Sequence, residues 1–286
     1  MSLFGKEYPY HLGYALGGGG SKGFAHLGAF KVFEQYKLKP DIIIGTSAGA
    51  LAGAFYADGF TPEEIAELFN KKDFKEFVEL TVPKMGLFKS TEIEKFLRRN
   101  LRSNKFEQLQ TPFRAVATDW AHGRVKVFSE GDKLVEAIVA SCSVPLVFKP
   151  IEIDGIPYVD GGLLKNFPVS LIRDECKFVL GVNVAIIPDA PDKINLKTTA
   201  ERVFKIMSNS NTMTDRAMCD ILVETEAVEK FFMFDLKNID KIMEYGYNYA
   251  VSAMNKEKSL KIIRRCHRRY ELEKKVKQKI NKIKLR

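Results

Sequence analysis

A serine flanked by glycines is the part of this sequence best suited to chemistry. Residues 45–49 read Gly-Thr-Ser-Ala-Gly, a Gly-x-Ser-x-Gly pattern, and the largely apolar run 41–44 precedes them. Where a strand turns sharply into a helix, flanking glycines leave room for the turn and hold the serine hydroxyl above the end of the sheet. The small apolar residues 50–55 are typical of a helix packed close to a sheet. Ser47 is therefore predicted to be a nucleophile.

The glycine-rich loop 17–23 could stabilise an anion. It reads Gly-Gly-Gly-Gly-Ser-Lys-Gly, between the short apolar strand 14–16 and a helically periodic segment. A helix N-terminus presents free backbone N–H groups, which suit an acyl-transfer oxyanion or a dinucleotide pyrophosphate. Residues 18–23 also fit Gly-x-Gly-x-x-Gly, but a dinucleotide site needs an acidic residue at the end of the second strand. That position holds the serine turn, so an oxyanion is favoured over a dinucleotide; a loop needed only for tight packing is the third interpretation.

A third candidate is the carboxylate in the segment Asp160-Gly161-Gly162. A predicted strand and a glycine turn, residues 147–157, precede it. Asp-Gly-Gly alone is an ordinary turn sequence. A serine nucleophile nevertheless needs a base, and this third motif supplies a carboxylate, that of Asp160.

The histidines favour a carboxylate as that base. Serine hydrolases of the usual kind have serine, acid and histidine in that order along the chain. Only His267 follows Asp160, and it lies in a run of arginines, where a buried and oriented base is not expected. We expect His26 to brace the glycine loop and His122 to be exposed in a turn. If Ser47 is a nucleophile, a carboxylate then takes its proton directly.

Together and in this order, the three motifs resemble those of the patatin-like phospholipases, in their bacterial form. That family has a Gly-Gly-Gly-x-Arg/Lys-Gly loop, a Gly-x-Ser-x-Gly turn and an Asp-Gly-Gly/Ala motif. The resemblance covers residues 12–190 well, with support from residues 140–145, Asn166 and Pro168. It becomes weaker afterwards, although residues 239–250 resemble the closing helix of the family.

The resemblance implies a catalytic dyad with Ser47 as nucleophile and Asp160 as general base, without a metal or other cofactor. It also implies an oxyanion hole formed by backbone amides of the glycine loop. The implied oxyanion-hole residues are Gly18, Gly19 and Gly20, and the residues that support the motifs are Lys22, Gly23, Gly45, Gly49, Gly161 and Gly162.

The implied activity is metal-independent hydrolysis of ester bonds in phospholipids or lysophospholipids, through an acyl-serine intermediate. A soluble carboxylesterase or thioesterase is the alternative with the same chemistry. A non-catalytic scaffold recruited to membranes on the same fold is the alternative of another class.

Strand-like runs alternate with helical ones, which predicts an α/β fold with a mostly parallel central sheet and helices on both faces. The resemblance implies the three-layer α/β/α arrangement. Thr61-Pro62-Glu63-Glu64 predicts a capped helix start, and residues 91–94 read as a capping box for a helix through Leu101. Residues 67–102 form either ordinary core helices or a mobile lid beside the acyl chain. The predicted strands are 14–16, 41–44, 113–117, 125–128 and 178–184.

Positive charge is concentrated at the C-terminal end. Residues 256–286 carry 14 Lys and Arg against 3 Asp and Glu, a net charge of +11 against +9 for the whole chain. Their apolar residues fall near helical spacing, which predicts a basic amphipathic helical tail after a hydrolase domain at 12–255. The tail either contacts an anionic membrane or packs its apolar stripe on its own domain. An RNA-binding tail is disfavoured, so we expect no nucleic-acid partner.

Composition fits an ordinary globular enzyme. The chain has 286 residues, 45% of them hydrophobic, which is enough for a sizeable core. Its four cysteines are widely spaced without a C-x-x-C pair, which favours reduced thiols and a cytoplasmic location, with or without peripheral membrane contact. We see no signal peptide and no apolar run long enough to span a bilayer.

Overall fold

The computed structural model of the chain describes residues 7–70, 79–80, 88–187, 195–233 and 235–284. The strands are β1 (Tyr10–Leu16), β2 (Ile42–Thr46), β3 (Glu79–Leu80), β4 (Phe88–Lys89), β5 (Phe113–Asp119), β6 (Arg124–Phe128), β7 (Ile151–Ile153), β8 (Ile156–Asp160), β9 (Cys176–Asn183) and β10 (Ile221–Glu224). The helices are α1 (Phe24–Gln35), α2 (Ala48–Ala57), α3 (Pro62–Phe69), α4 (Thr91–Asn100), α5 (Leu134–Ser141), α6 (Leu196–Ser210), α7 (Met213–Ala217), α8 (Ile239–Met254) and α9 (Glu257–Lys284).

The central sheet is mostly parallel, as predicted. Its strands follow the order β10-β9-β1-β2-β5-β8-β7, with β6 also paired to β5. Neighbours from β10 to β5 are parallel, whereas β6, β7 and β8 pair in antiparallel fashion. The five strands predicted from sequence all occur, but β1 begins four residues before Tyr14. The short strand β10 was not predicted, because its four residues carry little periodicity.

Strands β2 and β8 share one edge of β5. Strand β6 pairs with β5 from Ala115 to Asp119, and β6 therefore occupies the other edge of β5 along that whole stretch. On the free edge, β2 pairs as far as Thr46 opposite Val116, and β8 pairs from Ala117 onward. Because β8 runs antiparallel to β5, its last residue, Asp160, lies opposite Ala117. The C-terminal ends of β2 and β8 therefore meet head to head.

Helices cover the two faces of the sheet unequally. The larger core contains buried residues of α1, α2, α3, α5 and α8 against one face. The smaller core contains Phe167, Val169 and Ile172 against the other face, with Met218 beside the end of α7. Helices α1 and α8 approach closely, since a Cβ atom on Gly28 would collide with backbone atoms of α8.

One predicted helix cap is confirmed and one is wrong. The Thr61 hydroxyl accepts a hydrogen bond from Glu64 N (3.2 Å), and Glu64 accepts one from Thr61 N, which forms a complete capping box. The predicted box at Thr91 does not form, because Thr91 is already the first helical residue. There Glu94 N donates to the Ser90 carbonyl (3.0 Å), and the Glu94 carboxylate pairs with an arginine of its own helix.

The predicted basic tail begins as part of the folded domain. The first half of α9 buries Ile262, Ile263 and Cys266 in the larger core, and His267 Nε2 lies 2.6 Å from the Tyr36 carbonyl oxygen. The boundary at residue 255 stays a prediction. The larger core contains residues on both sides of it, from α8 before the boundary and from the first half of α9 after it. None of the described helices is both long and apolar enough to cross a membrane. Of the segment 67–102, residues 71–78 and 81–87 lie outside the described residues.

Candidate active site

Ser47 occupies a strained turn between β2 and α2. Its backbone angles are φ 53° and ψ −122°, so a residue with a side chain lies in the left-handed region. Such a conformation costs on the order of 1–3 kcal/mol and persists only where surrounding contacts enforce it. Two backbone contacts do so: Ser47 N donates to Ser141 Oγ (2.9 Å), and the Ser47 carbonyl accepts from Leu51 N (3.0 Å).

The glycines of this turn are required by space. A Cβ atom on Gly45 would collide with the backbone of Gly49, and one on Gly49 would collide with the Leu16 carbonyl. The chain therefore folds back on itself and on β1 within five residues. This agrees with the sequence argument for a sharp turn around Ser47.

Ser141, at the end of α5, fixes the turn to the sheet. Its side chain is fully buried, donates to the Val116 carbonyl of β5 (2.6 Å) and accepts from Ser47 N. The next residue, Cys142, donates from Sγ to the Ser47 carbonyl (3.3 Å). Residues 140–145 support the family resemblance, but their sequence alone does not indicate which hydroxyl faces the turn.

Asp160 reaches the same place from the end of β8. It is 1% exposed, and its Oδ1 accepts a hydrogen bond from Gly162 N (2.7 Å). Its carbonyl accepts from Thr118 Oγ1 (3.1 Å) and its amide donates to the Ser143 carbonyl (2.9 Å), so the backbone is held on two sides. Asp160 Oδ2 is buried and completes no hydrogen bond of standard geometry with any residue that the structure describes.

Burial raises the pKa of Asp160 from 3.8 to about 7. The Ser47 hydroxyl and Gly162 N–H interact favourably with the carboxylate and lower the pKa, but the loss of solvation has the larger effect. Asp160 is thus a stronger base than an exposed aspartate and faces the hydroxyl of Ser47. A general base works best with a pKa near the working pH.

The glycine loop is partly committed to structural contacts. Gly18 N donates to the Asn166 carbonyl (3.0 Å), and Asn166 Nδ2 donates back to the Gly18 carbonyl (3.3 Å). The Gly18 amide is therefore not free, which corrects its predicted place in the oxyanion hole. The amides of Gly19 and Gly20 donate to no acceptor in the described part of the chain, and both residues line a cavity beside Ser47. The sequence alone does not indicate this contact of Asn166 with the glycine loop.

The histidines lie where the sequence analysis expected them. His26 is buried with Nε2 2.8 Å from the Gly17 carbonyl oxygen, and burial lowers its pKa to about 4, so it braces the loop as a neutral ring. The side chain of His122 is 56% exposed and contacts Asp119. No described histidine lines either cavity at Ser47. Within the described ranges, no group of three His, Cys, Asp or Glu side chains is arranged to hold a metal ion.

Two cavities meet at Ser47. The first, which we name the apolar cavity, has a volume of about 140 Å³ and includes Leu51, Phe69, Phe96 and Phe148 in its lining. The second, the polar cavity, has a volume of about 50 Å³. Its lining includes the predicted dyad and glycine-loop residues Gly18, Gly19, Gly20, Ser47 and Asp160, and the polar side chains Lys22, Asn166, Lys205 and Ser208.

The motif glycines that remain have packing roles. A Cβ atom on Gly23 would lie 2.5 Å from Ala48 Cβ, so Gly23 lets the glycine loop approach α2. A Cβ atom on Gly161 would collide with the Val116 carbonyl, and one on Gly162 would lie 2.8 Å from Asn166 Oδ1. Lys205 and Ser208 of α6 were not predicted, because that region lies outside the segment of strong resemblance.

A family model described as "Patatin-like phospholipase" matches residues 14–172, which contain all three motifs. The chain belongs to the patatin-like phospholipase family. Its fold is also that of VipD from Legionella pneumophila, whose crystal structure aligns with a TM-score of 0.57 at 12% identity, covering 86% of this chain and 67% of VipD. At that identity the likeness concerns the fold alone.

Two proteins that are similar in sequence differ in how much of their own length this chain matches. YqhO of Bacillus subtilis is 31% identical over 217 residues, which cover 64% of this chain and 75% of YqhO. Lysophospholipase NTE1 of Scheffersomyces stipitis is 23% identical over 271 residues, which cover 84% of this chain but 18% of that protein. The similarity to the yeast protein is thus to one part of a much longer chain.

Burial of the Asp160 carboxyl predicts a stability cost that changes with pH. Because the folded-state pKa lies above the ordinary value of 3.8, the folded state disfavours the charged form. The cost is absent at low pH, grows as pH rises from about 4, and is complete above about pH 7. We expect Asp160→Asn to raise the free energy of unfolding by ~2–4 kcal/mol at about pH 8, and by less at about pH 5.

Chemical denaturation of both proteins at the two pH values measures this difference. The matched control is Glu244→Gln, which removes an exposed carboxylate of α8. A gain for Asp160→Asn that is equal at both pH values, or shared by the control, would contradict the predicted burial cost.

Proposed function

We propose that this protein is a metal-independent serine acyl hydrolase that cleaves ester bonds of phospholipids or lysophospholipids. One observation carries the proposal: a strained, buried Ser47 faces a buried carboxylate whose pKa is raised to about 7, at the junction of an apolar and a polar cavity. Membership of the patatin-like phospholipase family supports lipid hydrolysis as the class of reaction. The name of the yeast relative, a lysophospholipase, supports lysophospholipids as substrates.

In the proposed mechanism, Asp160 in its charged form accepts the proton of Ser47 Oγ while this oxygen attacks the ester carbonyl carbon. The carbonyl oxygen becomes an oxyanion, which the amides of Gly19 and Gly20 stabilise. The carbon–oxygen bond to the alcohol then breaks, the alcohol leaves with the proton from Asp160, and an acyl-serine remains. Asp160 next accepts a proton from water, the resulting hydroxide attacks the acyl-serine, and Ser47 regains its proton as the fatty acid leaves.

The apolar cavity suits the acyl chain. Apolar cavities of about 150 Å³ accommodate a benzene ring, so a cavity of about 140 Å³ accommodates the first carbons of a fatty acyl chain. Its walls come from α2, α3 and α4, whose aromatic side chains pack against one another. Residues 71–78 and 81–87, part of the segment that we predicted as either core or lid, lie outside the described residues.

The proposal predicts that a fluorophosphonate labels Ser47 and that the protein releases fatty acid from phospholipid or lysophospholipid without added metal. We expect Ser47→Ala to abolish labelling and to lower kcat/KM by several orders of magnitude, because the acyl-serine cannot form. Asp160→Asn should lower kcat/KM by a similar factor, because the nucleophile loses its base. Mass spectrometry of protein and lipid products measures both effects.

The matched control is Ser252→Ala, which alters an exposed serine of α8. Labelling of Ser47 without lipid hydrolysis would favour the soluble carboxylesterase or thioesterase. A folded protein with no labelling would contradict the serine hydrolase and favour the non-catalytic scaffold.

A second prediction concerns pH. Because Asp160 must be unprotonated to accept a proton, kcat/KM for a neutral short-chain ester should fall about tenfold per pH unit below about pH 7. Initial rates from about pH 5 to about pH 9 measure this fall in kcat/KM. A fall that begins only near pH 4, the usual range of an exposed aspartate, would show that the raised pKa of Asp160 does not determine the pH dependence of kcat/KM.

We also propose that the exposed basic face of α9 contacts anionic membranes, in a cytoplasmic setting. The four cysteines are free thiols, which fits a reducing compartment. The apolar residues of the first turns of α9 are buried in the domain, so the attraction proposed is electrostatic. The side chains that supply it are Lys258, Lys261, Arg264, Arg265 and Arg268, all exposed.

Replacing Arg264, Arg265 and Arg268 together by Gln tests this contact without removing the packed part of the helix. Each basic residue near an anionic surface contributes about 1 kcal/mol, so binding to phosphatidylglycerol vesicles should weaken roughly 100-fold. Vesicle sedimentation measures it, and high salt should weaken wild-type binding as well. Equal binding of both proteins would contradict the proposal.

A further inference from the structure

The polar cavity contains cationic and hydroxyl groups that the reaction at Ser47 does not use. Lys22 enters from the glycine loop, and Lys205 and Ser208 enter from α6. Residues three apart on a helix lie on the same face, so α6 presents both of its side chains to the cavity. The dyad mechanism gives a role to Ser47, Asp160 and two loop amides, and it leaves these three side chains unexplained.

Two of the three side chains are largely buried and have no hydrogen-bonding or ionic partner among the described residues. Lys22 is 7% exposed and forms neither a hydrogen bond nor an ion pair with any described residue. Ser208 is 6% exposed, and its Oγ has no hydrogen-bond partner in the described part of the chain. A buried ammonium is costly unless it is paired, and a buried hydroxyl without a partner loses its solvation energy. This combination indicates a site built for a ligand that supplies acceptor oxygens.

The charges in the cavity point to an anion. Burial and, to a smaller degree, the positive charge of Lys205 lower the pKa of Lys22 to about 8, and both lysines line the polar cavity. Glu229 acts in the opposite direction but more weakly, and it does not line the cavity. Among the described lining residues, Asp160 is the one that carries a carboxyl group, and it belongs to the proposed dyad. A bound anion would replace the repulsion between the two lysines with two favourable interactions.

We propose that Lys22, Lys205 and Ser208 bind the phosphate group of a phospholipid head group, next to the ester that Ser47 attacks. This inference rests on the proposed function and adds an orientation of the bound substrate. The acyl chain enters the apolar cavity, and the head group enters the polar cavity. In a glycerophospholipid only a few bonds separate the ester oxygen from the phosphorus atom. Two cavities that meet at the nucleophile match that chemical order.

Binding to a catalytically inactive protein tests the site directly. We would titrate the Ser47→Ala variant with dihexanoyl phosphatidylcholine below its micelle concentration, using isothermal titration calorimetry. Hydrogen bonds to charged groups predict that adding Lys205→Met weakens binding about tenfold or more. Ser208→Ala should weaken it by a smaller factor, and Lys241→Met, which removes an exposed lysine of α8, should leave it unchanged. Equal affinity of the Lys205 and Lys241 variants would overturn the proposal.

The neutral lipid dihexanoylglycerol and inorganic phosphate distinguish the sources of the anion. A head-group site predicts that Lys205→Met weakens phosphatidylcholine binding more than dihexanoylglycerol binding. Lys205→Met could instead weaken the binding of inorganic phosphate and leave phosphatidylcholine binding unchanged. That result would overturn the proposal of a lipid ligand in favour of free phosphate. An equal loss for both lipids would also overturn it, because Lys205 would then act on the shape of the whole site.

Kinetics in the active protein separate this inference from the proposed function. The ratio of kcat/KM for phosphatidylcholine to that for dihexanoylglycerol should fall about tenfold in Lys205→Met and stay constant in Lys241→Met. If fluorophosphonate labels Ser47 and both lipids are hydrolysed with an unchanged ratio, the head-group site is wrong and the hydrolase stands. If Ser47 is not labelled, the hydrolase fails, and the calorimetric comparison still decides whether the site binds phosphate.

Discussion

The site depends on the way in which two strands share one edge of β5. Strand β2 arrives parallel and stops opposite Val116, and β8 arrives antiparallel and stops opposite Ala117. The next residue after β2 is Ser47, and the last residue of β8 is Asp160. The carbonyl of Val116 also receives the Ser141 hydroxyl that holds the Ser47 amide. Two adjacent residues of one strand therefore set the relative position of the proposed nucleophile and base.

The same packing that positions these groups also raises their energy. Ser47 has a backbone conformation that a side chain disfavours, and Asp160 has a carboxyl without full solvation. In an isolated peptide either group would relax. Here the Ser141 hydroxyl, the Gly162 amide and the close contact between Gly49 and β1 prevent relaxation. The stability of the surrounding sheet thus maintains an arrangement of the proposed nucleophile and base that is locally unfavourable.

Local patterns allowed much of this architecture to be predicted from the sequence. The turn at Ser47 needs glycines that are adjacent in the chain, so residues 45–49 identify it on their own. The cap at Thr61 is likewise a local interaction. The hydrogen bond of the Gly18 amide could not be predicted, because its acceptor, the Asn166 carbonyl, is distant in sequence. Any residue type would supply such a carbonyl, so the sequence contains no signal for it. Lys205 and Ser208 were missed for a related reason, since only the tertiary position of α6 shows what they face.

The order of the strands has a consequence for how the chain acquires its structure. Strand β1 lies between β2 and β9, and α1 packs closely on α8. Strand β1 and helix α1 thus receive these neighbours only when residues 176–254 have emerged from the ribosome. Until then, one edge of β1 and much of the apolar surface of α1 are available for wrong pairing. Sheets closed by such distant partners form slowly, so nascent chains of this protein are exposed to aggregation for longer than chains whose neighbouring strands follow in sequence.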